Sequence, residues 1–510
     1  MTLLSLQDRA RDLQALQDGP LDVLVIGGGI VGAGVARDAA MRGLRTGLVE
    51  QHDFAFGTSS RSSRLLHGGL RYLAQGRLGL VREASREKRN LHDIAPHLAE
   101  PLAFVFPTYR GTDWPLWQLR IGVKLYDLLC GGRNLGRSGA LSRAQVLHRL
   151  PGLNPQRLTG AVRYFDALTN DARLVIDTLR SAAQHGVSVL NYCRFRDASR
   201  DGAAWRCEVE DRQAGAAHTL RARAIVNATG PWAGGLPHSR VRLRLTKGVH
   251  LVVERARLPT PEAVVMTRGE RILFIIPWGE RVILGTTDTD YAGSLDDVRA
   301  EPDDVAYVLR VVNDFFPACG LSGKEVISTW AGLRPLLGNA NNTPSDISRS
   351  HQIRSPEPDW WDVAGGKLTT YRLMAQQTVD QMARHLDRRV SPCRTAVEPL
   401  LPGEAAAAFS GILPPEFSRR AVEHFCANEW ALHLDDVMLR RGGWHYYWAD
   451  ADRKAEQAAQ WMAELVGWSL EEQAAELGRY RRAAGCQAAG KSPAFAGRNQ
   501  RHDREVHSVV

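Results

Sequence analysis

Residues Ile26–Gly34 read IGGGIVGAG, and they directly follow the apolar run Leu21–Ile26. An unbroken apolar run of this length is typical of a buried parallel strand. Alanine and valine then continue at helical spacing to Arg42, and a second apolar stretch, Thr46–Val49, follows Gly43. We therefore predict a strand–helix–strand unit with the glycines at its first turn.

The glycines are spaced as Gly27-x-Gly29-x-x-Gly32. Gly27 permits a tight turn, Gly29 lets the backbone approach a pyrophosphate, and Gly32 lets the helix pack on the strand. The N–H groups at the helix N-terminus then face the anion. Glu50 ends the second strand, where a carboxylate accepts hydrogen bonds from ribose hydroxyls. The pattern predicts a dinucleotide site but does not distinguish NAD from FAD.

The composition is that of a large globular protein with an anionic partner. The chain has 510 residues, 44% of them hydrophobic, which is enough for about three domains. Its formal net charge of +9 favours a phosphorylated metabolite, an acidic lipid surface or nucleic acid as partner. The seven cysteines form no C-x-x-C pair, so we expect a reducing compartment and no metal. We expect neither a signal peptide nor a membrane-spanning helix.

Short strands and small-residue turns recur after the first unit. Cys207–Leu220 predicts a hairpin, and the apolar strand that follows closes on Ala228–Gly230. Several short strands between residues 243 and 287 predict a mixed sheet beside the nucleotide domain. A third small-residue turn leads into a helix near Thr370–Leu386, and Ala-rich helical segments follow Pro399.

Six motifs along the chain point to one family. They read GTSSRSSRLLHGGLRYL, IVNATGPW, TKGVHLVV, IIPWGERVILGTTDTDY, WAGLRPLLG and VAGGKLTTYR. In this order the motifs resemble the FAD-dependent glycerol-3-phosphate dehydrogenases, the aerobic, quinone-linked members of the D-amino-acid-oxidase-like flavoenzymes. The resemblance runs from about Asp22 to Met382, and EWALHLDDVMLRR at Glu429–Arg441 matches the family's C-terminal helical domain. The sequence departs from the family at Arg64, where lysine is usual.

The resemblance implies an α/β fold in which a Rossmann-type FAD-binding domain, D-amino-acid-oxidase-like, carries a mixed-sheet substrate domain and a C-terminal helical domain. The FAD-binding domain is expected in three parts, residues 1–95, 161–240 and 346–390. A substrate or cap region with a membrane-facing helix occupies 96–160, and the substrate domain occupies 241–345. The helical domain at 391–487 precedes a disordered tail at 488–510.

The implied activity is oxidation of sn-glycerol 3-phosphate to dihydroxyacetone phosphate by hydride transfer to FAD, with electrons passed to a membrane quinone. The resemblance implies a cytoplasmic protein, peripheral on the inner face of the cell membrane, and leaves a homodimer open. The basic apolar segment Trp114–Leu129 fits either the membrane interface or a buried helix with snorkelling cations. No nucleic acid is expected, because aromatic residues do not interleave with the basic ones. Two alternatives stay open: a soluble oxidase that uses O₂, and a flavin-binding protein without turnover.

This chemistry needs cations for the phosphate and a base for the hydroxyl proton. The family-matching positions for substrate binding are Arg71, Tyr72, Arg349 and Lys367. His250 corresponds to the family's substrate-site histidine and is the expected base, since histidine titrates near neutral pH. Arg334 matches the family's phosphate-binding positions too, and we assign it to polarising the developing alkoxide.

The remaining candidates are cofactor-binding positions. Besides the three glycines and Glu50, they are Thr58, Ser59, Ser60, Ser63, His67, Thr229, Gly230, Lys367, Thr369 and Thr370. His67 precedes two glycines that admit backbone close to the isoalloxazine ring, where it contacts the flavin or links covalently to it. Thr369 and Thr370 open a helix whose N-terminus stabilises negative charge on the reduced flavin. The hydroxyl residues individually also suit helix caps.

Overall fold

The protein is represented by a computed structural model. It describes residues 4–70, 73, 76–111, 114–131, 134–269, 271–337, 351–386, 389–403 and 408–485. Three predicted substrate residues, Arg71, Tyr72 and Arg349, lie outside these ranges, as does the predicted tail.

Within the described residues the strands form one sheet of eight and one of ten. In chain order the strands are β1 Leu21–Ile26, β2 Thr46–Val49, β3 Leu65–Leu66, β4 Glu100–Tyr109, β5 Gly139–Ser142, β6 Leu158–Leu168, β7 Ser188–Leu190, β8 Cys193–Asp201, β9 Ala204–Asp211, β10 Ala216–Asn227, β11 Leu243–Glu254, β12 Ala263–Arg268, β13 Arg271–Trp278, β14 Arg281–Gly285, β15 Thr289–Asp290, β16 Val326–Leu337, β17 His351–Glu357 and β18 Trp360–Gly365. The α-helices are α1 Leu4–Gln17, α2 Ile30–Met41, α3 Leu78–Ile94, α4 Leu116–Leu129, α5 Arg143–Arg149, α6 Asp171–Gln184, α7 Pro302–Phe315, α8 Tyr371–Ala383, α9 Arg419–Asn428, α10 Trp444–Tyr447, α11 Ala451–Val466 and α12 Leu470–Ala483.

The first sheet contains the predicted strand–helix–strand unit, which is confirmed as β1, α2 and β2. Its order is β17-β18-β10-β1-β2-β7, and the neighbours from β18 to β7 run parallel. Every residue of β1 and β2 is buried, as expected for strands covered on both faces. The hairpin predicted near Cys207–Leu220 is β9 with the first half of β10, whose second half continues as a parallel strand. Strands from all three predicted FAD-binding segments therefore meet in one sheet.

Apolar side chains hold helices against this sheet. On one face, Val25 and Val226 pack with residues of α2, α6 and α8, including Leu179 and Met374. On the other face, Leu16 of α1 packs with Trp205 and other residues of β8 to β10. Each fully buried aliphatic side chain contributes about 1.5–3 kcal/mol.

The second sheet has the order β15-β11-β14-β13-β12-β4-β6-β3, with β16 paired to β11 and β5 to β6. It is mixed, because β4 and β12 run parallel while the other pairs are antiparallel. The pairing of β4 with β6 continues to the pair Glu100 and Leu168. The predicted boundary at residue 160 therefore falls inside β6.

The C-terminal helices pack on this second sheet. Phe425, Met438 and Trp444 share one core with Trp278 and Trp330 of the sheet. The opposite face of the sheet is covered by α7. No helix in the described ranges has the length and apolarity needed to cross a bilayer.

Candidate active site

The glycine turn after β1 is shaped by two close backbone approaches. Gly27 has a φ of +109°, and a Cβ on it would lie 2.7 Å from the carbonyl oxygen of Ala228 at the end of β10. A Cβ on Gly32 would lie 1.9 Å from the carbonyl oxygen of Gly27. No side chain fits at either position, so the start of α2 lies directly against the turn.

Glu50 borders this turn at the end of β2. Its carboxylate accepts hydrogen bonds from the backbone N–H of Gly28 at 2.7 Å and of His52 at 2.8 Å. Burial raises the pKa of Glu50 to about 7, although these two N–H donors oppose the increase. The side chain is thus fixed at the position where ribose hydroxyls are expected.

A cleft of about 380 Å³ opens beside the turn. The predicted cofactor residues that line it are Gly27, Gly29, Glu50, Thr58, Ser59, Thr229, Gly230 and Lys367. Small-residue turns after β1, β10 and β18 therefore converge on one space, as expected where parallel strands end. The N–H of Ile30 at the start of α2 donates to the Ser59 hydroxyl at 3.0 Å. Glycines, helix N–H groups and a ribose-directed carboxylate fit a bound dinucleotide.

Hydroxyl side chains tie the cleft to both sheets. Thr58 donates to the carbonyl oxygen of Leu333 on β16 at 2.7 Å, and Thr229 donates to Asn227 at 2.7 Å. Ser60 is buried in the short 3₁₀ helix Thr58–Ser60. These contacts fix the cleft wall against the second sheet.

His67 and Thr369, which are 302 residues apart in sequence, meet beside the cleft wall. The N–H of His67 donates to the Thr369 hydroxyl at 3.0 Å, and that hydroxyl reaches the His67 carbonyl oxygen at 3.3 Å. Thr370 donates to the carbonyl oxygen of Lys367 at 3.4 Å, which closes the turn before α8. The structure thus joins the predicted flavin-facing loop to the third small-residue turn.

One face of the second sheet presents the two predicted catalytic residues. In the register of β11 with β16, His250 faces Trp330 and Gly248 faces Gly332, and Arg334 lies two residues beyond Gly332 on β16. Residues paired in this way, and alternate residues along a strand, share a face. A Cβ on Gly248 would lie 2.5 Å from Nη2 of Arg334. Gly248 therefore clears the space that the guanidinium occupies, while Gly332 makes room for the backbone of Arg61.

The Arg334 guanidinium is held by the turn after β14. It donates to the carbonyl oxygen of Thr287, to Asp288 and to the hydroxyl of Thr286, each at 3.1 Å. The side chain is 22% exposed. It is thus an oriented cation that remains accessible to an anionic ligand.

His250 is buried against the same face. Its Nε2 lies 2.8 Å from the Ser63 hydroxyl, and its ring stacks on Trp330 with centroids 5.1 Å apart. Burial, assisted by the cations Arg334 and Arg64, lowers the pKa of His250 to about 3. This differs from the expectation of a histidine that titrates near neutral pH, because the ring is desolvated. Ser63, predicted to contact the cofactor, contacts His250.

Arg64 is a site residue that sequence reasoning treated only as a departure from the family. Its guanidinium carbon lies 4.3 Å from the ring centre of Trp278, 5.1 Å from Trp330 and 5.9 Å from Tyr446. Its Nε is 3.9 Å from the Asp171 carboxylate. The three aromatic residues come from distant segments of the chain, so no local sequence pattern could have identified this cluster around Arg64.

The fold and the site together define a class of protein. A parallel sheet with three small-residue turns around one cleft, next to a second sheet that presents a histidine and an oriented arginine, is the arrangement of a flavin-dependent oxidoreductase.

Comparisons with known proteins give the family. Residues 22–381 match the FAD dependent oxidoreductase family. The chain is 34% identical to a glycerol-3-phosphate dehydrogenase of Mycobacterium leprae, over 93% of this chain and 90% of that protein. It is 37% identical to an aerobic glycerol-3-phosphate dehydrogenase of Staphylococcus epidermidis, over 73% and 68% of the two chains. The X-ray structure of the glycerol-3-phosphate dehydrogenase from Bacillus halodurans complexed with FAD is 28% identical in sequence. The match has a TM-score of 0.76 and covers 95% of this chain and 98% of that one.

The chain belongs to the FAD-dependent glycerol-3-phosphate dehydrogenase family. The predicted fold class and the FAD cofactor are confirmed.

Proposed function

We propose that the protein oxidises sn-glycerol 3-phosphate to dihydroxyacetone phosphate and passes the electrons to a membrane quinone. The observation that carries the proposal is the shared face of β11 and β16, which presents both His250 and the oriented guanidinium of Arg334 beside Gly248. The relatives named glycerol-3-phosphate dehydrogenase support the choice of substrate.

Oxidation at C2 removes a hydride from carbon and a proton from the hydroxyl, which leaves a carbonyl. FAD, when bound, supplies the acceptor for the hydride. Nε2 of His250, which lies 2.8 Å from Ser63, takes the proton directly or through the Ser63 hydroxyl. Arg334 stabilises the negative charge that develops on the C2 oxygen.

Binding of the substrate phosphate also affects the pKa of the base, His250. Arg334 and Lys367 are the described cations assigned to it, and Arg71, Tyr72 and Arg349 are the further candidates. Each charge-assisted hydrogen bond to the phosphate contributes about 1.5–3 kcal/mol. A dianion beside Arg334 offsets one of the charges that lower the pKa of His250. Substrate binding therefore strengthens the base at the moment when it is needed.

We propose that the protein reaches the quinone by binding to the membrane surface. Helix α4 exposes Trp117, Ile121 and Leu128 with Arg120 and Lys124 nearby, while Leu119, Val123 and Tyr126 on its other face are buried. An exposed apolar stripe flanked by cations suits the interface of an acidic bilayer. We place the protein on the cytoplasmic face of the cell membrane, attached through this helix.

The proposal is tested by adding glycerol 3-phosphate to the purified holoenzyme without oxygen and recording the visible spectrum. Bleaching of the flavin band at about 450 nm is expected, because FAD loses this band on reduction. A spectrum unchanged by glycerol 3-phosphate but bleached by another small hydroxy or amino compound would overturn the substrate assignment.

The acceptor is tested in the same preparation. A soluble quinone analogue is expected to restore the flavin band in many turnovers, with little peroxide formed in air. Stoichiometric peroxide without quinone reduction would show that the protein is an oxidase.

A further inference from the structure

The C-terminal helices lie beyond residue 381, where the match to the FAD dependent oxidoreductase family ends. One link between these helices and the rest of the protein is a clamp on Asp53. Arg441 donates through both terminal nitrogens to the Asp53 carboxylate, at 2.6 and 2.8 Å, and Arg440 donates to the same group. All three side chains are buried. Two successive residues of the π-helix Asp436–Arg441 thus bind one carboxylate.

Asp53 belongs to the loop that follows β2 and packs on the glycine turn. Two residues beyond it, the N–H of Ala55 donates to the carbonyl oxygen of Gly28 at 3.0 Å. At the start of the loop, Glu50 accepts from the N–H of Gly28 at 2.7 Å. The ring of Phe54 lies 2.5 Å from the position of a Cβ on Gly28. The loop is therefore joined to Gly28 by two hydrogen bonds and by the close contact with Phe54.

A second contact reaches the same loop independently of the ion pair. Trp430 meets the edge of Phe54 with ring centres 5.5 Å apart. Asn191 donates to Asp53 at 3.2 Å and to the carbonyl oxygen of Trp430 at 2.8 Å. The C-terminal segment thus holds two neighbouring residues of the loop.

We propose that the C-terminal helical segment is part of the FAD site, and that its clamp on Asp53 fixes the loop which binds the adenosine half of the cofactor. Glu50 lies three residues before Asp53, at the position for ribose hydroxyls. Arg440 also pairs with Asp435 and Asp436, whereas both terminal nitrogens of the buried Arg441 bind Asp53. Loss of the Asp53 charge therefore leaves the Arg441 guanidinium without its carboxylate partner, which displaces the loop. The inference rests on FAD binding and is independent of the proposed substrate and acceptor.

The test compares Asp53→Asn with Glu429→Gln in the full-length protein. Glu429 forms an equally buried ion pair with Arg173, at 2.7 Å, which joins the C-terminal segment to α6 without contacting the loop. We would measure the Kd for FAD and for ADP after flavin removal, and the rate of FAD release from each holoenzyme. Both variants are expected to lower the melting temperature.

Only Asp53→Asn is expected to weaken the binding of FAD and of ADP, each by about tenfold or more in Kd. ADP should be affected as FAD is, because it carries the adenosine half of the cofactor. Equal weakening by both variants, or an unchanged Kd in Asp53→Asn, would overturn the inference. If Asp53→Asn does not fold, the inference is tested with Arg441→Lys, since an ammonium cannot bind both carboxylate oxygens as a guanidinium does. Faster FAD release from Arg441→Lys supports the clamp, and an unchanged rate refutes it.

Discussion

The imidazole of His250 is surrounded by groups that favour its neutral form. Burial is the main cause of its low pKa, and Arg334 and Arg64 add to the effect. Trp330 holds the ring on one side, and its own indole N–H donates to the carbonyl oxygen of Ser62 at 3.1 Å. The histidine and the loop that carries Ser63 are therefore positioned by the same tryptophan.

We expect His250→Ala to lower the rate of flavin reduction by about 10²–10⁴, because general-base assistance is lost. FAD content should stay at the wild-type value, since His250 lies on the second sheet and does not line the cofactor cleft. Stopped-flow reduction by glycerol 3-phosphate measures the rate, and His148→Ala on the surface is the control. A wild-type rate in His250→Ala would assign the base to another group.

Residue-level prediction from sequence works where the cause is local. Gly27 and Gly32 could be identified because contiguous backbone geometry requires glycine there. Ser63 and His250 form a pair although they are 187 residues apart in sequence, and the aromatic cluster around Arg64 comes from three separate segments. No periodicity encodes such contacts, which depend on how the two sheets meet.

At the scale of elements, β11 and β16 form the proposed substrate face, and Gly248 leaves room on it for the Arg334 guanidinium. In Gly248→Ala the new methyl group would lie 2.5 Å from Nη2 of Arg334 and 2.7 Å from the Thr286 hydroxyl. The guanidinium must move, so kcat/KM for glycerol 3-phosphate should fall by about tenfold or more. Unphosphorylated glycerol, which loses only the contact at the C2 oxygen, should lose less.

The control for this variant is Gly79→Ala, where no atom lies within 4 Å of the added Cβ. Its steady-state kinetics should match those of the wild type. Equal losses for both substrates in Gly248→Ala would indicate that Arg334 does not interact with the phosphate.

Helix α4 carries the prediction for membrane attachment. Ile121→Glu places a charge on the exposed apolar stripe, where the wild-type side chain is 62% exposed. Binding to vesicles that contain phosphatidylglycerol should weaken by about tenfold, because burial of an aliphatic side chain contributes about 1.5–3 kcal/mol. Co-sedimentation measures the binding.

Leu470→Glu is the matched control, since Leu470 is 86% exposed on α12 and lies outside the stripe. It should bind vesicles as the wild type does. If both variants bind equally well, the attachment does not use α4.

The strands and helices themselves were largely predictable. β1 and β2 agree with their predicted bounds, because unbroken apolar runs mark buried parallel strands. The continuation of β6 past residue 160 was not predicted, since its length is set by pairing with β4. Pairing partners and register are tertiary information.

For the whole molecule, the buried histidines predict how stability depends on pH. His250 has a pKa of about 3 and His445 a pKa of about 4, both lowered mainly by burial. In the unfolded chain both titrate near about 6.5, so the unfolded state binds more protons below that pH. The two histidines therefore decrease stability as pH falls from about 6.5 to about 4, by up to about 1.4 kcal/mol per pH unit each, whereas Glu50, whose pKa burial raises to about 7, acts in the opposite direction.

Urea unfolding midpoints between about pH 4.5 and 7.5 measure this slope. His445→Gln should flatten it, because one of the two groups no longer titrates. An identical slope in His445→Gln and the wild type would contradict the assignment.

The clamp on Asp53 also has a consequence for biosynthesis, because Asp53 and Arg441 are separated by 388 residues. A ribosome adds about 5–20 residues per second, so on the order of 20–80 s pass between synthesis of the loop and of its partner. Throughout this interval the nascent chain holds Asp53 without its two arginines. If the clamp fixes the loop as proposed, we expect stable capture of flavin only after Arg441 has been synthesised, so a chain that stops before Arg440 should lack the yellow colour of the full-length protein.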